Sequence, residues 1–468
     1  MESGSESSSS EQPNLPDREI EKTQADPEKR ASGNDPGSES PSPTDSETED
    51  ASVLASCERG RPTTASGIPD GGLEAWLQAL GSCIVMIETW GIVNSFGVFQ
   101  SYYETDVLAS SSSSSISWIG SLQASLLMLV GVISGPLYDA GYFRHLVFAG
   151  LILIVFGMFM TSLCAAYWQV LLAQGICVGV GMGLAFVPST AVLAQWFHRR
   201  RALALGCASA GSPIGGIVFP IVFIRLQPTL GFAWATRVIS FILLAISVIP
   251  IVLMRTRVPP THKARALIDR SALHDAPFVL VVVASFFTFM TLYVAYFYLQ
   301  VFDESKRISS QGFAPYTVTL LNAGSTVGRV APNYIADKAG ALNVHIACAI
   351  ATTALLFGWM GIRSMGSLVV FALLYGCFSG GIVAVMPAVV MTMSPDVGRV
   401  GVRIGMLFML TGIAVLIGTP IAGIILGPSS EVDWPGVMWY SAGALLMGTL
   451  VYLAARATLY RQKGGWKA

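Results

Sequence analysis

From Trp76 to Leu453 apolar stretches of about 20 residues alternate with short polar breaks. Each stretch is long enough to cross a hydrocarbon layer of ~30 Å at ~1.5 Å rise per residue. The pattern predicts spans at 76–98, 117–137, 145–164, 169–192, 203–224 and 234–254, then 277–301, 314–336, 344–362, 367–391, 404–426 and 437–455. The longest internal polar segment, 255–276, divides them into two groups of six. The expected fold is an all-α membrane protein with twelve transmembrane helices in two six-helix halves. The halves, 69–254 and 277–455, are joined by the linker 255–276 and followed by a tail, 456–468.

Composition sharpens this picture. Of the 468 residues 53% are hydrophobic and 12% charged, against about a quarter charged in ordinary globular proteins, which argues against a water-soluble enzyme. The net charge of −1 hides an asymmetry, because residues 1–68 hold 15 of the 29 acids and 6 of the 28 bases. That segment has 14 serines and no Trp, Phe or Tyr, too little apolar area to offset ordering entropy, so it reads as a disordered acidic tail. Its Ser/Thr-Asp/Glu clusters leave open a role as a phosphorylation platform. No dense basic surface is available for nucleic acid. The cysteines lie singly, without metal-ligand spacing, and no cofactor is expected.

Loop charge predicts orientation. With the tail inside, 16 lysines and arginines fall in inner loops and tails against 4 (Arg225, Lys306, Arg307, Arg363) in outer loops. Both termini are therefore expected to be cytoplasmic.

The two groups of six share a feature. Gly135-Pro136-Leu137-Tyr138-Asp139-Ala140-Gly141 follows the second span, and Asn333-Tyr334-Ile335-Ala336-Asp337-Lys338-Ala339-Gly340 follows the eighth. In each, an acid at the inner helix end precedes a glycine and a tight turn. Such parallel repeats build one large class of transporters. Any short turn favours the same residues, so a structural role stays open. As gating candidates, Asp139, Arg144, Asp337 and Lys338 would lock neighbouring helices in one state and release them in another.

The stretch Trp196-Phe197-His198-Arg199-Arg200-Arg201-Ala202-Leu203-Ala204-Leu205-Gly206-Cys207-Ala208-Ser209-Ala210-Gly211-Ser212-Pro213-Ile214-Gly215 resembles the YFxKRRxLAxGxAxAGxxxG signature of the monocarboxylate porter family of the major facilitator superfamily, especially its fungal members. It matches 10 of the 12 fixed positions. The entry segment Asp70-Gly71-Gly72 and the stretches Gly231–Arg237 and Ser394–Gly405 are similar to family segments, and the resemblance covers residues 69–455. It implies the major facilitator fold and transport by alternating access. Arg199, Arg200 and Arg201 join the gating candidates at the inner mouth, where anionic headgroups favour them, while the glycines and alanines that follow offer a face for close helix approach.

Three residues of the Asp, Glu, Lys and Arg type lie within the predicted spans: Glu88, Arg237 and Arg329. An intramembrane charge costs several kcal/mol and usually faces the bundle interior. Arg329 keeps its charge and grips carboxylates through paired hydrogen bonds. In the family an aspartate four residues earlier partners this arginine and the pair is implicated in proton-coupled anion transport. Ser325 stands at that position here, so the anion-binding half is kept and the proton-binding half is lost. Glu88, ~18 Å into the first span, is expected to pair with Arg329 or to titrate as a substitute proton site. Arg237, near an outer helix end, reads as a structural anchor that snorkels. Asn94, Gln123, Asn322, Tyr293, Tyr296 and Phe378 complete the candidate cavity.

The expected function is secondary transport of a small organic, carboxylate-bearing solute, with export of a secondary metabolite ahead of uptake of a monocarboxylate or vitamin. A non-transporting receptor or scaffold is the alternative of another class. The expected partners are the organic anion, protons if Glu88 titrates, and membrane lipids, in the plasma membrane or, as a second option, the vacuolar membrane.

Overall fold

The computed structural model describes residues 70–197, 200–257, 267–310, 312–394, 397–427 and 432–463. The predicted tail 1–68 lies outside these residues. The described residues hold helices and turns and no strand.

Helix α1 runs Leu73–Thr105, α2 Ser113–Asp139, α3 Phe143–Thr161 and α4 Tyr167–Trp196. A continuous stretch, Leu203–Leu253, follows. It is two helices: Gly231, at φ 76 and ψ 170, turns the chain where an L side chain would be strained, ending α5 (203–230) and starting α6 (232–253). Then come α7 Ala276–Lys306, α8 Thr317–Ala339, α9 Ala341–Trp359, α10 Met365–Met393, α11 Val397–Leu426 and α12 Trp434–Lys463.

Ten stretches meet the length and hydropathy of a membrane span. Dividing Leu203–Leu253 at Gly231 adds one, and α8 adds another. Helix α8 falls short on hydropathy because Asn322, Arg329, Asn333, Asp337 and Lys338 interrupt it. Twelve crossing helices result among the described residues.

Helix ends differ from the hydropathy pattern. Helix α1 continues to Thr105 rather than 98 and α7 to Lys306 rather than 301, while α12 extends through Lys463, into the segment expected to be a tail. Hydropathy marks the apolar stretch alone, whereas a helix continues with polar residues once it clears the hydrocarbon.

The two turns singled out in the sequence match in geometry. Gly141 (φ 100) joins α2 to α3 and Gly340 (φ 91) joins α8 to α9. Both long helices that begin a group of six also bend in mid-course. Helix α1 carries a π-helical turn at Ile87–Gly91 and bends at Ser95 (φ −87, ψ −7). Helix α7 bends at Tyr293 with nearly the same angles (φ −85, ψ −7). Interrupted helices are where transporters place binding groups.

The end of the bundle carrying Asp70 is called here the near end. Asp70 accepts the backbone N–H of Arg200 (3.1 Å), Glu74 pairs with Arg255 (2.5 Å), and Trp76 meets Phe197 edge-on at 5.3 Å. The signature glycines bring α5 against α1: a Cβ on Gly215 would stand 2.8 Å from Cα of Gly91, so only a residue without one permits this approach.

Candidate functional site

The bends in α1 and α7 aim a group of polar and aromatic side chains at the seam between the first six helices and the last six. Trp90, in the π-helical turn, stacks on Tyr293 with centroids 6.3 Å apart. Tyr293 touches Tyr296 (5.9 Å), which approaches Tyr375 on α10 (6.3 Å). The Tyr375 hydroxyl donates to the Leu292 carbonyl (2.8 Å), just before the α7 bend, and the Tyr296 and Ser379 hydroxyls lie 3.3 Å apart.

Arg329 stands on α8 beside this cluster, 5% exposed and within electrostatic range of Tyr293 and Tyr296. A Cβ on Gly328 would collide with the Cys377 carbonyl oxygen, so α8 sits hard against α10 and the guanidinium is held from behind. No carboxylate reaches ion-pair distance of Arg329 among the described residues, and its Nε has no hydrogen-bond partner there. A buried fixed cation with an open donor is costly unless something else neutralises it.

Glu88 is fully buried. It accepts a hydrogen bond from Ser247 on α6 (2.9 Å), while its Oε1 has no partner among the described residues. The expected pairing of Glu88 with Arg329 is therefore absent from this structure. The π-helical turn directs the carboxylate toward α6, within the first six helices, and not across the seam.

Asn94 and Asn322 do meet. Asn94 Nδ2 donates to Ser212 Oγ on α5 (3.1 Å), and Asn322 Nδ2 reaches the Asn94 carbonyl (3.5 Å) and the Val318 carbonyl (2.9 Å). Asn322 Oδ1 has no partner among the described residues. It lies seven residues, two helical turns, from Arg329, on the same face of α8.

Phe378 sits elsewhere. It lines a crevice of about 350 Å³ on the flank of α8, α9 and α10 with Pro332, Val344 and Cys348. Phe378 is turned about 100° from its neighbour Ser379, whose hydroxyl meets Tyr296.

Of the gating candidates, Asp139 is half-buried at the end of α2, while Arg144 is exposed and lines a crevice of about 310 Å³ between α3 and α6 with His145 and Pro250. Lys338 turns back to Tyr334 on its own helix (2.8 Å) rather than to a neighbour, and Asp337 is exposed. Arg200 is exposed beside Asp70. Arg199 and the side chain of Arg201 lie outside the described residues. Arg237 donates to Ser162 at the C-terminal end of α3 (3.2 Å) and lies over Trp234, the geometry of an anchor.

Sequence reading missed a near-end hub. Arg403, 2% exposed, donates to Asp275 (2.8 Å), Asp269 (3.3 Å) and the Met393 carbonyl (3.0 Å), tying the linker to α10 and α11. Asp269 is held below the usual carboxylate range, first by the Ser271 hydroxyl and then by the Ser271 N–H and by Arg403, against some desolvation.

The sequence profile of the Major Facilitator Superfamily matches residues 78–362. The chain belongs to the major facilitator superfamily. It is 44% identical over 387 residues to the MFS-type transporter dbaD of Emericella nidulans, covering 82% of this chain and 87% of that protein. It is 37% identical over 397 residues to the aspyridones efflux protein apdF of the same organism, covering 85% of this chain and 80% of the relative. In fold it is similar to the nucleoside transporter NupG, with a TM-score of 0.65 at 13% identity, covering 81% of this chain and 99% of that structure. A major facilitator protein is a transporter, and the bent helices and buried polar seam described above are what such a protein needs around a solute path.

Proposed function

We propose that this chain exports a small organic anion, with Arg329 as the charge that recognises it. The observation carrying this reading is a buried guanidinium with no carboxylate partner among the described residues. The cargo supplies the missing carboxylate, Tyr293, Tyr296 and Trp90 pack its apolar body, and Asn94 and Asn322 orient it. Glu88, with one oxygen open, is the candidate proton site and Ser325 is not. The chain cycles by alternating access of the halves 69–254 and 277–455, in the plasma membrane with both termini cytoplasmic, as a member of the monocarboxylate porter subfamily. Export rather than uptake is supported by the likeness to an aspyridones efflux protein. The remaining cargo identity is a carboxylated secondary metabolite.

The test is flux of a labelled aromatic carboxylate, against its neutral amide, in vesicles with and without an imposed pH gradient. Arg329→Gln is expected to weaken carboxylate flux roughly ten- to a hundredfold, the worth of a charge-assisted hydrogen bond, while leaving the amide unaffected. Equal carboxylate flux in the two proteins overturns the assignment.

A further inference from the structure

The far end, opposite Asp70, carries a feature that hydropathy left outside the spans. Helix α1 ends in Gln100-x-x-x-Glu104 and α7 in Gln300-x-x-x-Glu304. In each helix the glutamine amide donates to the glutamate one turn on, at 2.5 Å in α1 and 2.9 Å in α7. The two motifs meet across the seam. Ser101 Oγ on α1 donates to Glu304 Oε2 on α7 (2.6 Å), Ser113 Oγ on α2 donates to Glu104, and the two carboxylates lie within electrostatic reach of one another. Phe96 and Phe297, with ring centroids 4.8 Å apart, pack beneath them.

No lysine or arginine reaches ion-pair distance of either carboxylate among the described residues. On α1, Tyr103 is bonded to Gln174, and Asp106 is exposed beside Tyr102. On α7, Asp303 is occupied by Ser309, Lys306 and Arg307 are exposed, and Tyr298 donates toward the Ser113 and Thr419 carbonyls. Tyr316 precedes α8, and α5 brings the exposed Arg225. The far ends of α2 and α11 (113–125 and 411–427) have no titratable residue.

A second observation points to what the pair takes up. Gln100 and Gln300 are buried, at 0% and 3% exposed, and the carbonyl oxygen Oε1 of each has no hydrogen-bond partner among the described residues. Each amide already faces its glutamate through Nε2. A half-turn of the amide replaces that donor with the idle acceptor, which is what a protonated carboxyl requires.

We propose that Glu104 and Glu304 form a proton-operated latch between α1 and α7. With both carboxylates ionised, their repulsion favours parting of the helix ends. A proton on Glu104 removes the repulsion and lets the new O–H donate to the Gln100 carbonyl, holding the far end shut. The shut state therefore binds the extra proton, and by linkage acid on that side favours it. This supplies a route to proton coupling that does not use position 325. It rests on the alternating-access reading and is independent of the cargo.

The test uses the full chain in lipid vesicles without solute. Spin labels on Thr105→Cys and Ser305→Cys, both exposed helix-end positions, report the separation of α1 and α7 between about pH 4 and about pH 8, a range spanning carboxylate titration. In a chain whose native cysteines, the exposed Cys207 among them, are replaced by serine or alanine and which is otherwise wild type, the open-to-shut ratio is expected to rise roughly tenfold or more with pH, equivalent to about 1.4 kcal/mol. Glu104→Gln with Glu304→Gln is expected to stay shut at every pH. Should that double variant fail to fold, Glu304→Gln alone carries the same expectation. A wild type that does not respond to pH, or a folded variant that still does, overturns the latch. Neither result bears on Arg329, whose flux test fails or succeeds separately.

Discussion

Trp90 and Tyr293 stack with ring planes 16° from parallel and centroids 6.3 Å apart, joining the bend of α1 to the bend of α7. The contact continues sideways: Trp90 meets Phe186 of α4 edge-on at 5.8 Å, and Phe186 lies 6.2 Å from Phe408 of α11. Four helices, two from each group of six, thus converge through aromatic rings beside Arg329. Such contacts tolerate sliding better than a fixed ion pair, which suits a seam that must open and close.

Trp90→Ala is expected to cost about 3–5 kcal/mol, since it empties a buried indole site, whereas Trp90→Phe keeps part of the stack and loses less. Thermal unfolding of the detergent-solubilised chain reads this directly. An alanine variant that melts with the wild type would show that the stack does not hold the seam.

Gly328→Ala is expected to reduce flux severely, with a stability loss of about 1–3 kcal/mol, because the added methyl meets the Cys377 carbonyl and pushes Arg329 off its backing. The control is Gly443→Ala, where no atom of the described residues lies within 4 Å of the new Cβ; there neutrality or slight stabilisation is expected. Equal flux loss in both variants would point to general helix sensitivity instead.

At the near end, acid is expected to loosen the linker. Asp269 is held below its ordinary range, chiefly by Ser271, so its contribution is fully present above about pH 4, the unfolded carboxylate value, and is lost as pH falls through the lower folded value. Asp269→Asn should flatten this acid limb. Arg403→Ala should destabilise by roughly 1.5–3 kcal/mol at neutral pH, having left Asp269 and Asp275 without their shared donor. Melting temperature against pH checks both; an acid limb that persists in Asp269→Asn assigns it to another carboxylate.

Some of the site was legible because it is written in single residues. Arg329 and Glu88 stood out as charges amid apolar spans, and the glycines at 141 and 340 declared their turns. The partners were not legible. Ser247 for Glu88, Ser212 for Asn94 and Trp90 for Tyr293 are ordinary membrane-helix residues whose roles depend on which helix lies opposite. Glu104 and Glu304 were hidden for a different reason: they fall past the apolar windows, on helical turns that hydropathy cannot see.

The chain's own residue order determined that it crosses a membrane about twelve times and belongs to a transporter fold, since burying backbone polar groups in hydrocarbon leaves long helices as the available solution for apolar runs of this length. Tertiary structure alone decided which polar groups face one another. It turned Glu88 toward Ser247 and away from Arg329, set Phe378 on an outer flank, and brought two glutamates 200 positions apart to one seam. The physical reason is helical phase: a π-turn or a bend rotates every following side chain, and that rotation is settled by packing against neighbours rather than by local composition.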